Sequence, residues 1–393
     1  MKQKDYFCEM TQFPEKLAKM LDVRKSQGTL RKLSATDGTI DFLSNDYLGF
    51  ANSDTLFSKT FQLLLNEGVA SNGSGGSRLL SGNHKLYRTL EPLLAAFYKA
   101  ETALVFNSGY DANMGIFSAV PQRGDLILYD ELIHASIREG IRMSNAKAYH
   151  FKHNSIDNLK EKIALNKAQL GVDTTIFVVT ESIFSMDGDT PDLKAFAEYT
   201  TDNGYHLIVD EAHAVGCHGA NGDGIIAQLK LEKKVFARTV TFGKAYGCHG
   251  AAVLGSAELI DFLINFAKPF IYSTALSPHA LATIIAAHEF FKASGKEEVE
   301  KLRKNITYFK KELKAQGLQK YFVISASAIQ SCITTGSGKA KTVSGKLVEK
   351  GFRVKAILPP TVPVGQERLR FCIHSYNTKE ELGLVLKLLS SYL

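Results

Sequence analysis

Lys244 follows a run that reads as a buried strand, Val235 to Phe242, and Gly243 and Gly247 leave room around it. Upstream, Leu207-Ile208-Val209 delivers Asp210, with Glu211, Ala212 and His213 behind it. A lysine and an aspartate presented at one sheet edge suit pyridoxal phosphate chemistry. The amine forms an imine with the cofactor aldehyde, and the carboxylate keeps the pyridine nitrogen protonated so that the ring can take up electrons. Taken singly, each residue has an ordinary reading: a solvated surface lysine and a helix-capping aspartate. The argument rests on the pair and its surroundings.

Asn107-Ser108-Gly109-Tyr110 stands where a strand passes into a helix, and free N–H groups there suit a phosphate. Tyr110 is placed to reach a ligand; a plain N-cap by Ser108 is the alternative. His134, in Leu132-Ile133-His134-Ala135-Ser136, follows the next strand. An imidazole there can stack on a flat heterocycle or carry protons near neutral pH, although a structural histidine is the commoner case. The stretch from Gly68 to Gly82 reads as a phosphate loop or a flexible surface loop. Arg78 stands where a dinucleotide fingerprint needs its third glycine, and no Gly-Lys-Ser/Thr ending makes it a P-loop. A repeat, Gly216-Cys217-His218-Gly219-Ala220 and Gly247-Cys248-His249-Gly250-Ala251, invites a zinc reading. Adjacent ligands share one tetrahedral ion poorly and the usual spacings are missing, so no metal is expected.

These groups need a scaffold. From about residue 100 to 255, apolar strands alternate with helices. Ala103–Phe106, Asp125–Tyr129, Thr175–Thr180 and Ala251–Leu254 read as strands beside the two already named. His134–Met143, Ser155–Gln169 and Asp192–Asn203 read as helices. Near-continuous apolar strands between helices indicate an α/β fold with a parallel or mixed sheet covered on both faces, and ligands collect at the strand ends of such sheets. Beyond about residue 290 a charged helix (Lys296–Gly317) reads as the start of a smaller α+β domain. Short strands at Phe322–Ile324, Phe352–Val354 and Leu369–Ile373 and a last helix (Lys379–Leu389) complete it. The expected division is 1–42 (N-terminal helix and extended segment), 43–288 (large cofactor-binding domain) and 289–393 (small domain).

The 393 residues are 45% hydrophobic and 22% charged, an ordinary globular composition. No apolar run reaches the length of a membrane span, and the first residues lack the apolar core of a signal peptide. Five scattered cysteines without a Cys-x-x-Cys fit a reduced cytoplasm. The net charge of +7 is spread along the chain, which suits an anionic substrate and offers no basic stripe for nucleic acid.

Together with these residues, longer motifs carry a family resemblance: Ser44-Asn45-Asp46-Tyr47-Leu48-Gly49, Glu181-Ser182-Ile183-Phe184-Ser185-Met186-Asp187-Gly188-Asp189, Asp210-Glu211-Ala212-His213, Thr241-Phe242-Gly243-Lys244 and Pro359-Pro360-Thr361-Val362-Pro363. From about Leu21 to its C-terminus the chain resembles the α-oxoamine synthases, a branch of the fold-type I pyridoxal phosphate enzymes. The fourth and fifth motifs lean toward the biotin-pathway members. The resemblance implies a mostly parallel seven-stranded sheet with helices on both faces, and pyridoxal 5'-phosphate as cofactor. It implies a decarboxylative condensation of an amino acid, expected to be L-alanine, with an acyl thioester, expected to be pimeloyl-coenzyme A or a pimeloyl-carrier protein. It also implies a homodimer whose sites are built from two subunits. Lys244 would carry the imine and move the Cα proton, Asp210 would pair with the ring nitrogen, His213 and Ser185 would approach the phenolic oxygen, and His134 would stack on the ring. Gly109, Tyr110 and Thr241 would surround the phosphate, with Thr274 of the partner subunit. Arg370 would hold the substrate carboxylate, a task suited to a planar fork, with Asn45 as a further substrate contact. Arg24 and Thr361 would meet the acyl substrate. Leu358 and Arg78 depart from the pattern of relatives, which keeps glycine- or serine-using members of the branch open as alternatives, with an aminotransferase behind them.

Overall fold

The computed structural model describes residues 13–31, 33, 39–167, 171 and 173–393. After the short strand β1 (Ile40–Asp41), seven strands form the main sheet: β2 (Thr102–Phe106), β3 (Leu126–Asp130), β4 (Lys147–Phe151), β5 (Ile176–Glu181), β6 (His206–Asp210), β7 (Ala237–Thr241) and β8 (Ala251–Gly255). Their order is β2-β8-β7-β6-β5-β3-β4. β8 runs antiparallel to both neighbours and every other pair is parallel. The expected mostly parallel sheet is present.

The apolar runs explain it. In a strand, successive side chains point to opposite faces. Leu207 and Val209 enter one core and Ile208 the other; Val178 and Phe177 divide in the same way. A strand buried on both faces therefore reads as a continuous run, and helices cover both sides. β4 has no such run. It is an edge strand whose first four residues are partly or fully exposed, and the sequence offers no apolar period to reveal it.

The C-terminal part carries a second, antiparallel sheet, order β11-β12-β9, from β9 (Ile329–Ile333), β11 (Lys355–Ile357) and β12 (Arg368–Cys372). The strand expected at Phe322–Ile324 is reduced to one bridge, Phe322 to Cys332. Val323 N–H still donates to Ser331 O, but Ile324 is 91% exposed and pairs with nothing in a ladder. The helix expected from Lys296 runs Lys296–Ala315, and Phe309 packs on Phe371 of β12 at 6.0 Å between ring centroids.

The N-terminal segment is stitched to this second sheet. β1 pairs in parallel with β10 (Phe352–Arg353). Beyond it, Cys372 N–H donates to Phe42 O and Ser375 N–H donates to Tyr47 O. Phe42 is fully buried between Phe352 and Phe371. The motif Ser44–Gly49 is thereby laid against the end of β12.

Candidate active site

Every parallel strand points its carboxyl end at one edge, and the candidate residues gather there. β6 ends in Asp210. Its Oδ2 accepts from Asn113 Nδ2 at 2.7 Å and its Oδ1 from Ala212 N–H at 2.8 Å, which fixes the carboxylate plane. Glu211, one residue on, points the opposite way into the core and accepts from Arg238 Nε at 2.8 Å. Arg238 also donates to the carbonyls of Tyr98 and Asp223, so this buried pair has its hydrogen bonds met and braces the strand end.

β7 ends in Thr241, and the chain turns through Gly243 to Lys244. Cys248 N–H donates to Phe242 O and Gly247 N–H to Lys244 O, closing the turn. Gly247 has φ +60°, and a Cβ there would stand 2.1 Å from Ala51 N, so no side chain fits. The turn aims Lys244 Nζ to 2.8 Å from His213 Nε2. Burial lowers the lysine pKa to about 8, against the opposing pull of Asp210 and Glu181. Near neutral pH an appreciable fraction of the amine is thus unprotonated, as a nucleophile must be.

From His213 a chain of hydrogen bonds leads away from the lysine. Nδ1 lies 2.7 Å from Tyr47 Oη, Tyr47 donates to Asn45 Oδ1 at 3.2 Å, and Arg370 Nη2 donates to the same oxygen at 2.9 Å. Arg370 Nε donates to Ser185 O at 2.7 Å. Burial, then the cations Lys244 and Arg370, hold the His213 imidazole well below its ordinary pKa, so it is neutral.

His134 caps the helix Ala135–Met143. Its Nδ1 accepts from Ser136 N–H at 3.2 Å and lies 2.8 Å from Ser136 Oγ, which leaves Nε2 to carry the hydrogen of the neutral ring. Its own N–H donates to Glu181 Oε1 at 2.5 Å. Glu181 is buried, and burial, reinforced by the Asp210 charge, pushes its pKa well above the carboxylate range. Asn113 ties the two parts together, donating to Ser136 Oγ at 3.0 Å as well as to Asp210.

At the far end, Ser108 caps the helix Gly109–Ala119 by accepting from Asp111 N–H at 3.1 Å. The N–H groups of Gly109 and Tyr110 open the first turn and have no partner within the helix. A Cβ built on Gly109 would lie 3.6 Å from Thr241 Cβ, so the start of this helix meets the end of β7 here. Thr274 stands beside them, its carbonyl accepting from Asn107 Nδ2 at 2.7 Å within the same chain.

The loop after β5 carries Ser185 and is pinned at two points. His153 sits between Asp130 at 2.9 Å and Asp189 at 2.8 Å, and Arg368 of β12 pairs with Asp187. Burial opposes the His153 charge, but the hydrogen bonds and charges of the two carboxylates outweigh it and push the pKa up to about 10.

The edge therefore brings together Lys244, Asp210, His213, His134, Ser185, Thr241, Gly109, Asn45 and Arg370. Tyr110 lies beside them with its ring exposed. Arg24, on the helix Glu15–Ser26, and the exposed Thr361 are not joined to this group by any hydrogen bond or ion pair among the described residues. Ser185 contacts Arg370 through its carbonyl rather than its hydroxyl. The two Cys-His repeats are turns, opening on left-handed Gly216 and Gly247. Glu181, Asn113 and Tyr47 had no role assigned from sequence. Asn113 falls one helical turn after Gly109, the only signal that it faces the same edge.

The residues present fit pyridoxal 5'-phosphate. They supply an amine with a depressed pKa, a fixed carboxylate on the adjacent strand, and a helix N-terminus suited to a dianion. A mostly parallel, doubly covered seven-stranded sheet with this edge defines a fold-type I pyridoxal phosphate enzyme. A family model, aminotransferase class I and II, matches residues 37–388. The chain is 39% identical to the 8-amino-7-oxononanoate synthase of Emericella nidulans, over 96% of this chain and 95% of that protein. It superposes on the serine palmitoyltransferase of S. paucimobilis with a TM-score of 0.86 at 25% identity, covering 96% of both chains. With the 8-amino-7-oxononanoate synthase of Francisella tularensis the TM-score is 0.75 at 30% identity, over 91% of this chain and 98% of that one. The chain belongs to the class I and II aminotransferase family and, within it, to the α-oxoamine synthase branch.

Proposed function

We propose that the chain is a pyridoxal phosphate-dependent acyltransferase that condenses L-alanine with a pimeloyl thioester, with loss of carbon dioxide, to give 8-amino-7-oxononanoate for biotin biosynthesis. The observation that carries it is the placement of Arg370 against Lys244. A guanidinium held by Asn45 and Ser185 O lies one hydrogen-bond chain from the reactive amine, which suits a small α-amino acid. The relatives supply the acyl half of the reaction.

When bound, the cofactor supplies an electron sink for the carbanion at the amino acid Cα. Asp210 is the residue to hold the ring nitrogen protonated. The N–H groups of Gly109 and Tyr110, with Thr241, would hold the phosphate. The guanidinium hydrogens of Arg370 not taken by Ser185 O and Asn45 would hold the substrate carboxylate and so orient the amino acid in the site. Lys244 would serve as the base for the Cα proton, and a pKa of about 8 suits proton transfer at neutral pH. His134, its orientation fixed by Ser136, would cover one face of the ring. Arg24 and Thr361 belong to the acyl end of the proposal.

A second copy of the chain completes the proposal. The helix Asp54–Asn66 exposes Phe57, Phe61 and Leu65 at four-residue spacing, and Tyr272, two residues before Thr274, is 80% exposed. An apolar stripe of this kind fits a homodimer interface; sedimentation showing an active monomer would refute it. No helix among the described residues is long and apolar enough to cross a membrane. We place the enzyme in the cytoplasm, to be checked by fractionation.

The likeness to serine palmitoyltransferase gives a second reading, serine with a long acyl chain. Release of the thiol from short, pimeloyl and palmitoyl thioesters, with alanine, glycine or serine, separates the two. Alanine with the pimeloyl donor is the expected pair. Preference for serine with the palmitoyl donor overturns the reading.

A further inference from the structure

The hydrogen-bond chain Lys244–His213–Tyr47–Asn45–Arg370 has a direction, and that direction is forced from its far end. A guanidinium only donates, so Asn45 must present its Oδ1, not its amide nitrogen, to Arg370 Nη2 at 2.9 Å. That oxygen also lies 3.2 Å from Tyr47 Oη and only accepts, so the tyrosine proton is committed to it. The tyrosine oxygen is then left as an acceptor. It sits 2.7 Å from His213 Nδ1, so the hydrogen of the neutral imidazole must be on Nδ1. Nε2 is bare and accepts from Lys244 Nζ at 2.8 Å.

We propose that Tyr47 is a positioning residue of the reaction: through its hydroxyl it fixes the Nδ1–H form of His213, so that His213 takes a hydrogen from the Lys244 amine and leaves the nitrogen lone pair free. The opposite form, Nε2–H, would donate into that lone pair and occupy the electrons Lys244 needs for attack. The proposal deepens the function proposed above and rests on it for the role of Lys244.

The surroundings support the assignment. Tyr47 is 1% exposed and its ring lies 6.1 Å from that of His213, so the hydroxyl has no water to turn to. His213 is kept neutral by burial and by Lys244, Arg370 and His134, which makes its hydrogen a single one with two possible homes. Lys244 is faced by His213, Asp210, Glu181, Arg370 and Cys372. Among the described residues, His213 is the one whose side chain lies within hydrogen-bond distance of its amine. The imidazole therefore decides which way the one direct bond runs.

The test needs no cofactor and no substrate. In cofactor-free protein labelled with 15N-histidine, the His213 signals are assigned by loss in His213→Ala, and a proton-bearing and a bare ring nitrogen give well-separated shifts. The expected result is Nδ1–H in the unsubstituted protein and a shift of population toward Nε2–H in Tyr47→Phe. Asn45→Ser, which frees the tyrosine proton, is expected to act in the same direction. A second readout follows Lys244, labelled as its 13C-dimethyl derivative and identified by its absence in Lys244→Arg. Its pKa should drop by about one unit in Tyr47→Phe, because a donor at Nε2 favours the unprotonated amine. Nε2–H in the unsubstituted protein overturns the proposal, and does so even if the Phe variant does not fold. An unchanged tautomer in a folded Tyr47→Phe also overturns it. The substrate screen can fail while this spectrum is as expected, so the two readings fail separately.

Discussion

Two histidines in this molecule show opposite states built from the same side chain. His213 lies between Lys244 and the Tyr47 hydroxyl at the carboxyl edge of the main sheet, and burial, with Lys244 and Arg370 near, holds it neutral. His153 lies between Asp130 and Asp189 behind the β5 loop and is held charged, with its pKa pushed up to about 10. Both are substantially buried, and burial alone disfavours charge in both. The neighbours decide the outcome. Near the reactive amine the structure keeps charge off the imidazole, so its hydrogen can be directed. In the supporting loop it uses the charge as a rivet between a strand end and the segment that carries Ser185.

The comparison breaks most completely at Lys244. Lys244→Ala removes the amine and the cation beside His213, and turnover should fall by at least about 10⁴-fold with loss of the yellow absorbance formed with pyridoxal phosphate. A variant that keeps a borohydride-reducible adduct and full turnover would falsify the assignment. Arg370→Lys keeps a cation beside His213 but loses the fork. kcat/KM for the amino acid should drop by about 100-fold, mostly through KM.

His153→Gln tests the other pole. It leaves Asp130 and Asp189 without a cation, and denaturant titration at pH 7 should show a loss of about 3 kcal/mol. The sign of the pH effect follows from the raised folded-state pKa. The stabilisation is fully present below the unfolded value near 6.5 and is lost as pH rises through about 10. Unfolding midpoints of the unsubstituted protein and the variant should converge over that window; a constant gap would break the comparison. The smallest effect belongs to Lys244 itself. Its lowered pKa means the rate at which cofactor-free protein combines with pyridoxal phosphate should climb with pH and level off near pH 8, whereas an ordinary lysine would keep climbing toward 10.5.

The main sheet was legible because β5 and β6 are buried on both faces and show it as the apolar runs Ile176–Val179 and Leu207–Val209, while β7, which holds Arg238 and Thr239, is flanked by Val235, Phe236 and Phe242. β4 was not, since an exposed edge strand needs no apolar residues. β9 was missed for a different reason. Its interior holds Gln330 and Ser331, buried polar residues whose side chains are satisfied by Ser327 O and Met186 O, contacts that exist only after folding. The expected neighbour at Phe322–Ile324 looked more like a strand and pairs at a single residue. At the site, Lys244, Asp210 and His213 announced themselves by chemistry at strand ends, whereas Arg370, in the middle of β12, entered only through the family resemblance. Asn113 and Tyr47 did not, because an amide on a helix and a buried phenol have many ordinary uses. Only the partners at 2.7 Å from each give them a task.

The stitching of the N-terminal segment to the second sheet has a mechanical consequence. Asn45, Tyr47 and Arg370 all ride on the assembly of β1, β10 and β12, whereas His213 and Lys244 ride on the main sheet. The 2.7 Å bond from His213 to Tyr47 therefore joins the two supports at the site. The carboxylate grip and the tyrosine that directs the imidazole thus share one support, and the amine and the imidazole share the other. A substitution that loosens the first support is expected to weaken the hold on the amino acid and the direction of the Lys244–His213 bond together.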